Sequence, residues 1–524
     1  MPTLAQRLES STDFVIGVEL VSTRGLLTET RAAKTQSFAR DLAGYASADW
    51  VSITDNAGGN PMLSPLALGL PLKQAGRNVL IHLSCKDLNR NALESTAWLL
   101  GSEGLHNVLA LSGDFAGAGV AGGSKPVFDT DSVGLLVLLG RMNAGLDVTR
   151  SPGTGTPVRL QPTQFFPGAV VNNFKLHENE QVPQLLKMER KIAAGARFII
   201  NQIGYDARKT HELLAWMSQR GHAGIPVIGN TFVLSGPAAR VFHARRIPGV
   251  AISDELAALC ERQAGGADKG KAFFLELAAK QVAIYRGLGY RGAYLGGVHT
   301  VADVERILQL ERGFSPGDWR QFAREIRYSR SGEFFMYAED EATGLANPAQ
   351  RHPAYEASLR KRPANRNVTL SYRIAKMTHS AMFTPGKGLW KLGAGLCRRA
   401  SNPAQGPALM HAVERAGKKM MFDCRDCGDC SLPDIAYLCP ESQCEKNQRN
   451  GPCGGTSDGR CEHKEENECI WARAYDRLRY EGREEELLAH VPVIQDQALR
   501  GTSSWANTWL GKDHFSKKLF SKTP

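Results

Sequence analysis

Asn107-Val-Leu-Ala-Leu-Ser112, followed at once by Gly113-Asp114, is continuously apolar from Val108 to Leu111 and then turns polar. A strand with one wet face alternates apolar and polar residues. One that does not alternate is buried on both faces, as in a parallel sheet. Outward from this stretch the same unit recurs. Residues 14–21, 50–54 and 78–84 read as strands before it, and 168–172, 197–202, 226–230 and 292–296 as strands after it. Each is followed by a polar or Gly-containing loop and then by a helix-period segment.

The helical segments carry legible ends. Residues 178–194 place Val182, Leu185, Leu186 and Ile192 on one face and stop at Gly195. Asp206 opens a helix with Leu213, Leu214 and Met217 inward and Gly221 beyond its end, and Thr300 is an N-cap ahead of Val301, Val304 and Leu308. Eight strands alternating with helices predict an α/β fold, a (β/α)8 TIM barrel, with a doubly wound open sheet as the alternative. No GxGxxG follows the first strand, which counts against a dinucleotide-binding domain.

The alternation stops after about residue 315. Residues 316–420 mix helical stretches with breakers (Asn347-Pro348, His352-Pro353, Arg362-Pro363, Pro385-Gly386), and read as a helical connecting region. The barrel is assigned to 1–315 and a small cysteine-rich domain to 421–524. That last part holds Cys424, Cys427, Cys430, Cys439, Cys444, Cys453, Cys461 and Cys469, eight of the chain's eleven cysteines. Such density means a metal site or a disulfide knot. The chain opens Met-Pro-Thr-Leu-Ala-Gln-Arg without an apolar signal segment, so a reducing compartment and metal are expected. Eight thiolates suffice for two four-coordinate sites, iron-sulfur or zinc. Cys439-Pro440 is like the Cys-Pro closing bacterial ferredoxin runs, although the gap before it is longer. At least one iron-sulfur cluster is expected, with a structural zinc clip lacking any redox role as the alternative. A helix is expected over 465–490. The tail from Arg500, with Trp505, Trp509, Phe515 and Phe520 among lysines, is read either as packing on another surface or as a loose terminus.

With 524 residues there is room for two or three domains, and a hydrophobic content of 42 % suits a soluble, cytoplasmic protein. The longest apolar run, Val133 to Leu139, is too short for a membrane span. The net charge of +11 attracts anions, yet its basic residues read as dispersed and no nucleic-acid recognition motif accompanies them.

Function in a barrel sits at the C-terminal ends of its strands. Polar residues there are Glu19, Thr54-Asp55-Asn56, His82 with Ser84, Ser112-Gly113-Asp114, Asn172-Asn173, Gln202 and Asn230. Singly, each has a bland reading: Glu19 paired with Arg24, His82 satisfied in the core, Asp114 capping a turn. Their repetition at one end of successive strands points to a site. Gly-rich loops at 113–123 and 153–155 allow close approach of a phosphate or ring, or are plain surface loops.

The strings Gly-Val-Glu19-Leu, Val-Ser-Ile-Thr54-Asp-Asn-Ala-Gly-Gly, His82-Leu-Ser-Cys, the Ser-Gly113-Asp114 above and Lys191-Ile-Ala-Ala-Gly-Ala-Arg-Phe-Ile-Ile-Asn-Gln202 resemble the methylenetetrahydrofolate reductases, flavin-dependent barrels, over about 14–310. Cys-Gly-Asp-Cys-Ser-Leu, Leu-Cys-Pro, Asn-Gly-Pro-Cys-Gly-Gly and Gly-Arg-Cys-Glu resemble the cysteine-rich domain that accompanies some of them. The resemblance implies an oxidoreductase of one-carbon metabolism, acting on the CH-NH group of donors, that interconverts 5,10-methylene- and 5-methyltetrahydrofolate. It makes Glu19 the acid that protonates N10 and sets Asp114 near flavin and pterin. It puts Thr54, His82, Gly113, Asp114 and Asn172 among the flavin contacts, Asp131 and Lys191 at the ribityl or phosphate end, and Gln202 on folate. Ser112 stands where the family carries arginine, and Asn172-Asn173 where it carries Tyr-Pro. The 230–236 region shows no clear counterpart of a stacking aromatic, so FAD or FMN and the use of NADH stay open. Tetrahydrofolates are the expected partners, with an electron-donor or acceptor protein and oligomerisation open. The rivals are a folate-binding scaffold of a methyl-transfer complex, and another flavin or pterin barrel such as a proline-dehydrogenase-like enzyme.

Overall fold

The protein is described from a computed structural model for residues 2–115, 118–119, 122–149, 155–362, 365–400 and 407–515. Eight parallel strands close a barrel: β1 (Val15–Leu20), β2 (Trp50–Ile53), β3 (Val79–Ser84), β4 (Asn107–Leu111), β5 (Phe166–Val171), β6 (Phe198–Asn201), β7 (Val227–Phe232) and β8 (Gly292–Gly296). They follow one another round the sheet in chain order, and β8 returns beside β1. The eight segments expected from continuous apolar runs are these strands, and the barrel, not the open sheet, is the architecture.

One helix after each strand covers the sheet: α1 (Ala33–Gly44), α2 (Leu66–Gln74), α3 (Arg90–Ser102), α4 (Ser132–Ala144), α5 (Glu178–Ala193), α6 (Ala207–Gln219), α7 (Lys271–Leu288) and α8 (Val301–Arg312), with two shorter helices, Gly236–His243 and Asp254–Ala264, between β7 and α7. Asp206 and Thr300 cap α6 and α8, accepting from the amides of Lys209 and Asp303. The largest apolar core lies between sheet and helices. A second core fills the barrel, where Trp50, Leu80, Leu109, Phe198 and Tyr294 meet Leu4 and Leu8 of an N-terminal helix, Leu4–Ser10. That helix plugs the floor, and burying each leucine there contributes roughly 1.5–3 kcal/mol. Glycine makes the filling feasible: a Cβ on Gly17 would lie 2.0 Å from the Trp50 ring, and one on Gly168 2.2 Å from Phe198.

Beyond α8, the helix α9 (Trp319–Glu325) precedes an antiparallel hairpin, Tyr337–Glu339 with Ala346–Arg351, held to the barrel where Glu212 of α6 accepts from the amides of Met336 and Tyr337. No strand was expected in this region. The helices α10 (Leu370–Met382), α11 (Gly388–Arg399) and α12 (Ala408–Phe422) lead into the cysteines, and α13 (Ile470–Glu481) and α14 (Ser504–Trp509) follow them. The helix expected over 465–490 is shorter because Gly482, at φ +70°, closes α13 in the left-handed region. Trp505 and Trp509 pack beside α11, whereas Phe520 lies outside the described residues.

Candidate active site and cysteine cluster

Side chains on a strand point alternately in and out, so inward Val15, Gly17 and Glu19 on β1 fix which neighbours can meet. The register sets Glu19 beside Ser52. Tyr294 of β8 donates its hydroxyl to Glu19 Oε1 at 3.0 Å, and Ser52 Oγ lies 2.7 Å from His82 Nε2. Tyr294 also interacts with Ser52, so Glu19, Tyr294, Ser52 and His82 form one connected polar group above the apolar filling. Burial raises the Glu19 carboxyl above its ordinary range, outweighing the stabilising Tyr294 hydroxyl and Gly297 amide. Burial lowers His82 to about 4, so its ring is neutral near pH 7. At the ends of the same strands, the buried hydroxyls of Ser22 and Thr54 have no hydrogen-bond partner among the described residues. A carboxyl held toward its acid form can donate a proton to a group bound at the mouth.

The opposite rim is covered by the chain's own C-terminal part. Lys446 donates to the Gly113 carbonyl at 2.7 Å, and Gln448 Oε1 accepts from Ser112 at 3.1 Å and from Lys187 Nζ at 3.1 Å. Asn172 donates to the carbonyls of Gly249 and Gly454, and Lys175 reaches the carbonyls of Gly454 and Thr456. Asp131 caps α4 through the amides of Val133 and Gly134, and takes the amide and side chain of Asn450 at 3.0 and 3.1 Å. Lys191 is buried, is lowered to about 7 by that burial, and donates to the Val170 carbonyl at 2.6 Å. Asp114 accepts from the Gly58 amide at 3.1 Å; burial raises its carboxyl, and the charge of Lys446 opposes this. Gln202, half-buried, accepts from the amide of Ile203.

The candidate residues therefore fall into two sets. Glu19, Thr54 and His82 line the floor of the mouth, with Asp114 at its edge. Gly113, Asp131 and Asn172 bind the 446–456 segment, and Lys191 binds β5. Tyr294, Ser52, Lys446, Gln448 and Asn450 were not singled out in the sequence. The period-2 pattern of Gly292–Gly296 and of Trp50–Thr54 marks Tyr294 and Ser52 as inward, a signal the sequence did hold.

All eleven cysteines are free thiols, so no disulfide knot forms. The eight clustered thiols fall into two sets by mutual influence. In the first, burial pushes Cys424 up to about 11 and the thiols of Cys430 and Cys439 push further; Cys430 is raised by burial and by Cys427. In the second, burial pushes Cys444 up to about 12 with Cys453 and Cys461 adding, and Cys469 is raised by burial, Cys453 and Cys444. The sets follow chain order, four and four. Among the described residues no three His, Cys, Asp or Glu side chains stand in a metal-coordinating arrangement. As a donor set, two groups of four soft thiols fit iron-sulfur clusters or zinc, since a cation relieves the cost of gathering thiolates in a buried place. Amides already face sulfur at Asp426 to Cys424 and Gln448 to Cys444, at 3.4 and 3.5 Å.

Behind the first set, His514 lies between Asp429 Oδ1 at 2.5 Å and Asp434 Oδ2 at 3.0 Å. Burial alone would lower this histidine, but hydrogen bonds to both carboxylates raise it to about 10. A raised pKa stabilises fully below the unfolded value near 6.5, and that stabilisation is lost as pH climbs toward 10. His514→Gln should cost about 3 kcal/mol at pH 6. Denaturant unfolding should show the wild-type advantage shrinking steadily from pH 7 to 10, and a gap independent of pH would refute the doubly charged clamp.

Residues 10–264 match the family model described as methylenetetrahydrofolate reductase, and residues 404–497 match that described as methylene-tetrahydrofolate reductase C terminal. The barrel belongs to the methylenetetrahydrofolate reductase family. The two matches are a reductase barrel and that family's cysteine-bearing C-terminal part in one chain. No curated protein matches it. Among solved structures, an uncharacterized protein from Clostridium thermocellum that binds two copies of 5-methyl-5,6,7,8-tetrahydrofolic acid aligns at 13 % identity over 59 % of this chain and 97 % of its own, with a TM-score of 0.40. A 2,3-dimethylmalate lyase aligns at 13 % over 60 % and 89 %, TM-score 0.32, and the Yersinia pestis dihydropteroate synthase at 12 % over 57 % and 92 %, TM-score 0.30. Likenesses this distant carry no weight for the function of the reductase-family barrel.

Proposed function

We propose that the chain interconverts 5,10-methylene- and 5-methyltetrahydrofolate with a flavin at the barrel mouth. The observation that carries the reading is Glu19: a carboxyl at the C-terminal end of β1, raised by burial and oriented by Tyr294, in a barrel of the methylenetetrahydrofolate reductase family. Opening the five-membered ring of the methylene substrate requires a proton at N10, which Glu19 delivers; in the reverse direction the same carboxylate takes it back. Neutral His82 keeps Ser52 oriented, and Ser52 in turn braces the tyrosine that positions Glu19. Asp114, at the edge of the mouth, would sense charge arising on the pterin. The unpartnered hydroxyl of Thr54 and the ring of His82 are the groups that fit a flavin's ring system, and the flavin when bound supplies hydride exchange.

Cys424, Cys427, Cys430 and Cys439 would hold one metal centre, and Cys444, Cys453, Cys461 and Cys469 a second. Iron-sulfur clusters there would supply one-electron transfer toward the barrel, and zinc would not. Cys427→Ser or Cys430→Ser tests that role. Turnover with the physiological donor should drop together with the metal, and full activity in a variant without its metal would leave the domain purely structural.

The deciding experiment for the reaction is an anaerobic absorption spectrum of the purified chain before and after 5-methyltetrahydrofolate. A flavin band that bleaches on addition is the expected result. A spectrum without flavin, not restored by FAD or FMN and unchanged by the folate, would favour the scaffold reading instead.

A further inference from the structure

More than half of the large apolar side chains that stand exposed among the described residues lie between 370 and 421, on three successive helices. Each helix carries them on its outward side. On α10 they are Leu370, Ile374 and Met377, a helical i, i+4, i+7 row, while Tyr372 is buried. On α11 they are Leu389, Leu392 and Leu396, while Gly393, Ala394 and Cys397 face inward and Gly393 abuts Trp509. On α12 the pattern is inverted relative to a water-facing helix. Leu409, Val413 and Met420 are 78, 59 and 85 % exposed, whereas Glu414 and Lys418 are buried, paired at 2.7 Å, and tied to Ser503 and Ser504.

Charge is concentrated on the same helices. The dispersal expected from the whole sequence fails here: residues 370–422 hold nine lysines and arginines and one acid, the buried Glu414. Outward basic residues such as Arg373, Lys391, Arg398, Arg399 and Lys419 flank the apolar rows. We propose that α10, α11 and α12 together form a docking face for an anionic phospholipid surface. A self-complementary contact with a second copy would bring two such positive faces together. The exposed apolar residues are aliphatic or methionine, without the exposed Trp or Tyr anchors that concentrate energy at protein interfaces. Aliphatic rows edged by Lys and Arg are the pattern of helices that lie in a bilayer interface, the apolar side chains among acyl chains and the cations at headgroup level. Among the described residues no helix is long and apolar enough to cross a membrane, so the attachment is peripheral. It goes beyond the folate reading and leaves the barrel mouth untouched.

The test is sedimentation of the full chain with phosphatidylcholine vesicles, with and without phosphatidylglycerol. Partitioning onto the anionic vesicles should exceed that onto neutral ones by about tenfold or more and should weaken with salt. Leu392→Glu should reduce it by about tenfold, and the double variant Arg398→Glu/Arg399→Glu should remove the preference for anionic lipid. Both sites are exposed, and thermal unfolding of each variant confirms an intact fold. Equal binding to both vesicle types overturns the proposal, as does anionic binding that Leu392→Glu leaves unchanged. It is also overturned if Leu392→Glu instead splits an oligomer of the chain or releases an acidic protein that co-purifies with it in fixed ratio.

Discussion

Glu19→Gln should lower kcat for methylene–methyl interconversion by about 10²–10⁴-fold, the usual contribution of a positioned acid. Glutamine keeps the size of the side chain and still accepts the Tyr294 hydroxyl, so folate binding should change far less than turnover. Steady-state rates beside equilibrium folate titrations separate the two, and unimpaired turnover would remove Glu19 from the chemistry. The pH profile gives a second check. Burial raises the Glu19 carboxyl, so the rate of reducing the methylene substrate should fall as pH rises through that raised value. Tyr294 favours the ionised form by donating to it. Tyr294→Phe should therefore move the descending limb to higher pH, by about one unit.

Asp131→Ala should be strongly destabilising. Its carboxylate caps α4 and satisfies both the amide and the side chain of buried Asn450. Loss of the cap costs about 1 kcal/mol, and each of the two Asn450 donors left unpaired roughly 1–3 more, so a total of about 3–7 kcal/mol is expected. Asn450 also holds the backbone of Val493 from both sides, so the strap after α13 should loosen with it. Denaturant unfolding of the variant measures this. The resemblance to the reductases instead points Asp131 toward the ribityl or phosphate end of a flavin. A variant of unchanged stability that has lost bound flavin would favour that role over the clamp.

The barrel was legible because its strands are buried on both faces, and four-residue runs such as Val108 to Leu111 cannot be amphipathic in any register. Helix ends at Asp206 and Thr300 were equally legible, since capping is a local hydrogen bond between neighbours in sequence. Glu19, Thr54 and His82 stood out for a similar reason, as polar residues interrupting apolar strands at one end. What stayed hidden was every pairing across long sequence distance. Ser112 with Gln448, Asp131 with Asn450 and Lys446 with Gly113 join residues more than 300 apart, and nothing local in either partner announces the other. The hairpin at 337–351 escaped because its strands are short and one carries Pro348, a residue confined to sheet edges. The reversed faces of α10, α11 and α12 escaped as well. A helical period shows that one side is apolar, but only packing shows that the apolar side faces out.

The segment spanning the barrel rim, Lys446 to Thr456, is also a matter of timing. The strands, floor plug and Glu19 of the barrel leave the ribosome long before it. The roughly 140 residues from the end of α8 to Thr456 take about 10–30 s to synthesise. During that interval the far rim of the mouth lacks Lys446, Gln448 and Asn450. Those residues sit between Cys444 and Cys453, so on the proposed cysteine ligation a bound metal would anchor both ends of the loop that completes the rim. On that ligation, a chain that has not yet taken up its metal would hold the far side of its mouth less firmly, and metal uptake would be the last step in finishing the site.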